Sequence, residues 1–224
     1  KWENRNTNFV YGQPDGGPTH DAPRNGYLNR SLVSLDYIPR DNKHPYLPAI
    51  IFRMAEAYLS YAEALNESSE RMSHKQEILD NLNKIRHRAG IAEYGTGTDE
   101  NGFTRIKINF SDQKEVRRLI HKERRVEFVG EGVRYHDLRR WKTAHYGIGN
   151  LNEQGENPDW GVNGPDYGMN YYGTEYTDQG DNAFFKRTKY MDRVYPRKFY
   201  WYPIHQSEID KDPTLVQGPF WLGE

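Results

Sequence analysis

Residues 121 to 141 read HKERRVEFVGEGVRYHDLRRW, and within them Glu123 and Glu127 stand one helical turn apart. Counted on a 3.6-residue period from Val116, Leu119 and Ile120, both carboxylates fall in the middle of the apolar face. Two uses of such a pair compete. Carboxyl groups about 5 to 5.5 Å apart serve retaining glycoside hydrolysis, which needs an open cleft and environments that split the two pKa values. The other use is an internal ion-pair network, and the crowd of Arg124, Arg125, Arg134, Arg139 and Arg140 favours it. A guanidinium on each carboxylate keeps both ionised, and a general acid must hold a proton. The set Glu123, Glu127, Arg124, Arg134 and Arg139 is therefore read as a structural ion-pair network, and no residue is assigned a catalytic role.

Other reactive groups give no further chemistry. His121 and His136 do not share a helical face at ligand spacing, and neither HKE nor HDL is a zinc-protease pattern. The stretches TDENG and TDQGDN lack the alternating ligands and closing glutamate of a calcium loop, so they read as turns. No glycine-rich phosphate loop or nucleophile elbow is present, and no metal or cofactor is expected. One group of residues stands out. Trp2, Tyr11, Trp160, Tyr167, Tyr171, Tyr172 and Tyr176 lie among Gly, Asn and Asp, off any core periodicity. An aromatic plane can meet the C–H face of a sugar ring while Asn, Asp and Arg take the hydroxyls, and these seven are the candidate ligand contacts. The bland use of each is to pin a loop.

Those residues depend on elements that the pattern locates. AIIFRMAEAYLSYAEALNE predicts a helix over about 49 to 67, with Ile51, Ala55, Tyr58, Ala62 and Leu65 on one stripe. Ser73 and Gln76 form a capping box for a second, about 74 to 89, and Gly90 is placed to end it. Asp112 caps a third that runs to about Phe128, and a fourth covers about 133 to 144. The first two form a tetratricopeptide-like hairpin. Short strands are expected at LVSLDYI and at Ile106, Ile108 and Phe110. The chain thus reads as a loop-rich segment at 1–48, a helical core at 49–144, an aromatic loop tract at 145–200 and a C-terminal strap at 201–224.

Composition narrows the partners. A net charge of -1 with 28% charged residues offers no basic field for nucleic acid, and 14% aromatic residues is too many for a disordered chain. With no cysteine, disulfides and thiolate chemistry are excluded within these residues. No run of 18 apolar residues is present to span a membrane.

Four motifs in order, RMAEAYLSYAEALNE (53–67), LNKIRHRAGI (82–91), the 121–141 stretch and WYPIHQSEIDKDPTLVQGPFW (201–221), resemble the SusD/RagB outer-membrane nutrient-binding lipoproteins. Gly218 and Phe220 replace the Asn and Gly usual in the closing motif. The resemblance implies a mainly α fold of tetratricopeptide-like helical hairpins with long irregular ligand-facing loops. It implies a non-enzymatic protein on the outward-facing surface of a Bacteroidetes-type outer membrane, binding an oligosaccharide or other nutrient and seated on a SusC-like TonB-dependent transporter. The expected lipid anchor and signal are not within these residues, so the chain is expected to be the C-terminal portion of such a protein. The family has no fixed sugar-contact motif to carry over. A tetratricopeptide-like module for protein or peptide is the alternative reading.

Overall fold

The computed structural model describes residues 7–20, 22–27, 33–34, 36–37, 41–147 and 161–222. The chain divides into a helical unit, Pro48–Tyr135, and a second unit built from residues up to Leu47 together with His136–Glu224.

In the helical unit, α1 (Met54–Glu67), α2 (Lys75–Arg88) and α3 (Gln113–Glu127) enclose one apolar core. Ala55 and Ala62 let α1 approach its neighbours closely, and Leu59, Ile78, Leu82, Val116 and Ile120 fill the space without solvent exposure. Asp112 caps α3 as its type predicts, its carboxylate accepting from the amides of Lys114 and Glu115. Gly90, at φ 66°, ends α2. Its N–H reaches His87 O while the Ile91 N–H reaches Arg86 O, the paired bonds of a Schellman cap.

Several expectations need correction. The first helix begins at Met54, after an extended Arg53, because residues 49–52 supply an apolar run with no capping side chain ahead of it. Ile51 is 96% exposed and leaves the expected stripe, while Ala55 and Ala62 are buried, Tyr58 and Leu65 pack on the core, and Leu59, Glu63 and Asn66 widen the buried face. Ser73 does not cap α2, since its hydroxyl donates to Glu70 O and His74 takes the N-cap position. The stretch at Ile106, Ile108 and Phe110 makes one isolated bridge, Tyr94 to Ile106, rather than a strand. Of LVSLDYI, the described residues Val33, Ser34, Asp36 and Tyr37 are not in a strand.

The second unit takes over within α4 (Val133–Arg140). An antiparallel hairpin joins β1 (Gly164–Gly168) to β2 (Thr188–Arg193), with Tyr190 bulged where the register shifts between Asp166 and Tyr167. The bulge places the Tyr190 hydroxyl 2.5 Å from Asp166, which also accepts from Arg193. Leu138, Ala144 and Tyr195 form a small core. A 3-10 turn (Arg197–Tyr200) precedes the closing strap, the strap holds α5 (Gln206–Lys211), and the Trp221 indole N–H fastens its end to Lys198 O and Trp201 O.

Candidate functional site

Two loops of the second unit meet through three of the predicted tyrosines. The Tyr11 N–H donates to Gly173 O at 2.8 Å, tying residues 8–17 to residues 170–176. Above that bond the rings of Tyr11, Tyr171 and Tyr172 pack together. Tyr171 and Tyr172 meet edge to face at 5.2 Å, Tyr11 and Tyr172 lie 5.5 Å apart at a tilt, and Tyr11 and Tyr171 are 6.1 Å apart.

Local sequence explains how neighbouring tyrosines both join one cluster. Asn170 caps a turn, its side-chain oxygen accepting from the Tyr172 N–H at 3.2 Å and its amide donating to Asp181 O at 3.1 Å, so the chain bends and both rings come to one side. Gly17 supplies the room beneath. A Cβ there would stand 2.5 Å from the Tyr171 ring, and one on Gly16 would stand 2.1 Å from Val10 O. Tyr171 is half-buried against this glycine pair, whereas Tyr172 leaves 70% of its surface to solvent. The result is a small aromatic shelf held by main-chain bonds.

The remaining candidates are placed differently. Tyr176 pins the same two loops, its hydroxyl accepting from the Phe9 N–H at 2.7 Å and donating to Asn8 at 2.9 Å. Tyr167 lies on β1 under the Arg187 guanidinium, 3.9 Å from its ring centre. Trp2 and Trp160 lie outside the described residues.

Glu123 and Glu127 face the helical unit's interior. Glu123 is buried and receives Arg86 Nη1 at 2.6 Å and the Tyr94 hydroxyl at 2.8 Å on one oxygen. Burial first, and then the Glu123 charge, push the Tyr94 hydroxyl above the ordinary tyrosine pKa. Glu127 holds Arg53 and Arg88, and Arg53 also reaches Glu131 at 2.6 Å. Burial would raise the Glu127 carboxyl, but the Arg88 and Arg53 guanidiniums outweigh it and hold it below the usual carboxylate range. The donors described on the two carboxylates thus come from Arg53, Arg86, Arg88 and Tyr94. Arg124 is buried beside Ser60, 3.0 Å away, and over the Phe128 ring. Arg134 is half-buried on α4, and Arg139 donates to Phe199 O and Tyr200 O in the second unit.

Asp99, in the TDENG turn, spends both carboxylate oxygens on the amides of Glu93, Asn101 and Phe103, a setting of donors rather than of a cation. Among the described residues no cluster of three or more His, Cys, Asp or Glu could hold a metal, and no helix is long and apolar enough to cross a membrane.

Comparison with known proteins places this arrangement. Solved structures with the same helical, tetratricopeptide-like fold include a SusD-like protein (BF3747) from Bacteroides fragilis, 27% identical with a TM-score of 0.51 over 77% of this chain and 26% of that one. Another is BT4246, 28% identical with a TM-score of 0.50 over 79% of this chain and 24% of that one. In sequence the chain is similar to two proteins of Formosa agariphila. SusD-like protein P38 is 32% identical over 46% of this chain and 19% of its own length, and SusD-like protein P25 is 28% identical over 53% and 23%. The chain therefore spans about a fifth of the length of these relatives. The sequence profile of the SusD family matches residues 2–221, nearly the whole chain, and this protein belongs to the SusD family.

Proposed function

We propose that this chain forms part of a cell-surface nutrient-binding protein that takes an oligosaccharide on the shelf of Tyr11, Tyr171 and Tyr172. The observation that carries the reading is the Tyr172 ring, 70% exposed yet fixed from behind by Tyr11 and Tyr171. A flat apolar ring in water that is already ordered loses little entropy when a sugar face stacks on it. Tyr167, Tyr176, Trp2 and Trp160 are the remaining proposed contacts. Of these, Tyr176 acts first as a loop pin and Tyr167 is available only when Arg187 moves aside. Glu123, Glu127 and the arginines serve the fold, so the protein binds and does not turn over its ligand.

Membership of the SusD family supports outward-facing attachment to the outer membrane through a lipid anchor, and delivery of the ligand to a SusC-like TonB-dependent transporter. A shallow shelf buries little area, so affinity is set on the order of micromolar to millimolar. The test is calorimetric titration of the protein with a panel of soluble oligosaccharides, alongside a Tyr11→Ala, Tyr172→Ala double variant and a Trp160→Ala, Tyr171→Ala, Tyr172→Ala triple variant. Loss of binding in both with an unchanged melting curve supports the shelf, and parental binding by both removes it. Appearance of shortened sugars in the same samples would overturn the non-enzymatic reading.

A further inference from the structure

Charge is distributed unevenly along this chain. Lys and Arg number 31 in all, yet none falls between Arg5 and Arg24 or between Lys142 and Lys186, while residues 143–185 hold seven Asp and Glu. The two stretches without cations are the ones that meet in the tyrosine shelf, through the Tyr11 N–H on Gly173 O. That separation gives the shelf an electrostatic sign, which its rings alone do not have.

The fold keeps several of these carboxylates close to the rings. The Thr174 N–H on Asn182 O and the Phe184 N–H on Glu175 O, at 2.9 and 2.8 Å, close residues 174–184 into a loop rooted beside Gly173. Glu175, Asp178 and Asp181 are exposed on that loop. Glu175 is three residues past Tyr172, so their Cα atoms stand at most about 11 Å apart. On the other loop Asp15 folds back on Asn8, its N–H on Asn8 O at 3.1 Å and its carboxylate accepting from the Asn8 N–H at 2.8 Å.

Two cations stand against these four groups. Lys186 is bound to Asp181 at 3.0 Å, and Arg187 lies over the Tyr167 ring. Among the described residues the Glu175 and Asp178 carboxylates have neither an ion-pair partner nor a hydrogen-bond donor. With His20 neutral at pH 7, the loops around the shelf are net negative.

A field of this kind does not depend on the direction in which one exposed side chain points. Two unit charges about 10 Å apart in water shift an equilibrium by roughly twofold. A run of uronates brings several charges against several carboxylates, so the factors multiply against it. An ammonium group gains where a carboxylate loses, and a neutral sugar is indifferent. We propose that the shelf selects its ligand by charge, taking neutral and amino-sugar oligosaccharides and rejecting those with uronate or sulfate groups, with Glu175 and Asp178 as the residues that set the choice. This rests on the oligosaccharide reading of the shelf and adds the charge class of the ligand to it.

The probes are tetrasaccharides of α-linked and of β-linked hexose, each in a neutral, an amino and a uronate form. They are titrated into the protein by calorimetry at about 10 mM and about 150 mM salt. At the lower salt the amino form of a series that binds should bind at least as tightly as the neutral form, and the uronate form at least about tenfold more weakly. Both differences should shrink at the higher salt, where screening is stronger. Glu175→Lys with Asp178→Lys should reverse the order of the amino and uronate forms and leave the neutral form within about twofold. Glu175→Gln with Asp178→Asn should remove the difference without reversing it, and this milder pair is decisive if the lysine pair does not fold. A uronate form that binds the parent as tightly as the neutral one, or an order that neither variant changes, overturns the proposal and leaves the shelf standing, provided that Tyr172→Ala still weakens the sugars that bind. Binding of none of the sugars overturns this proposal and the oligosaccharide reading together.

Discussion

Arg86 and Glu123 meet at 2.6 Å in the interior of the helical unit, each with about a tenth or less of its side chain exposed. Removing one partner strands the other charge. Glu123→Gln should therefore cost roughly 3 to 5 kcal/mol, read from chemical unfolding. The paired replacement Arg86→Leu, Glu123→Leu should cost less than either single change, because no bare charge is left behind. If the single and double variants lose stability additively, the two residues are not coupled.

Glu127→Gln should cost less than Glu123→Gln and leave oligosaccharide titrations untouched. One of its partners, Arg88, is 58% exposed and can return to water. The pH dependence follows from the lowered carboxyl. A group whose folded pKa is depressed adds stability above its unfolded value, near pH ~4.3 for glutamate, and loses it as pH falls through the folded value. Denaturation midpoints measured downward from neutrality should drop more steeply in the parent than in the variant below about that pH.

The two glycines beneath the shelf should behave differently. In Gly17→Ala the new methyl meets the outer part of the Tyr171 ring, a side chain that can swing, so ligand affinity falls while the melting temperature changes little. In Gly16→Ala it meets the main-chain carbonyls of Phe9 and Val10, so the loop itself must move and stability falls. Near-ultraviolet dichroism of the tyrosines, read beside the melting curve, distinguishes the two.

Tyr172→Ala should weaken oligosaccharide binding by about 0.5 to 1.5 kcal/mol, the worth of one aromatic packing contact. Tyr167→Ala should not, because Arg187 already occupies that ring face. Arg187→Ala should uncover Tyr167 and strengthen binding, and the reverse order of effects would move the site to β1.

Local rules served the helices well. Periodicity located α1 to α4, and side-chain type alone identified the Asp112 cap and the Gly90 stop. The inner placement of Glu123 was readable for the same reason, since a helix repeats its faces regularly. Its partners were not. Arg124 is the sequence neighbour, but adjacent helical residues point about 100° apart, and the cation that arrives is Arg86, 37 residues away. Glu127 is likewise met by Arg53 from 74 residues away. The shelf shows the same limit. Tyr171 and Tyr172 could be marked as aromatics off any core periodicity, whereas the Asn170 turn that brings both rings to one side is seen only in the structure. Nothing local pairs them with Tyr11, whose ring crosses 161 residues of chain to Tyr172. The start of α1 was misplaced because an apolar run looks like a buried helix until a cap is sought and not found.

Asn83 has a wider effect than holding one loop. It sits on α2 and grips Tyr94, Tyr94 donates to Glu123 on α3, and Glu123 returns to Arg86 on α2. The four residues close a circuit through three segments of the chain, so no segment can leave without breaking bonds made by the other two. A loop is ordinarily the first part of a protein to open. Here the Tyr94 amide belongs to the same cooperative unit as the helices, and it should be released only when the whole helical unit comes apart.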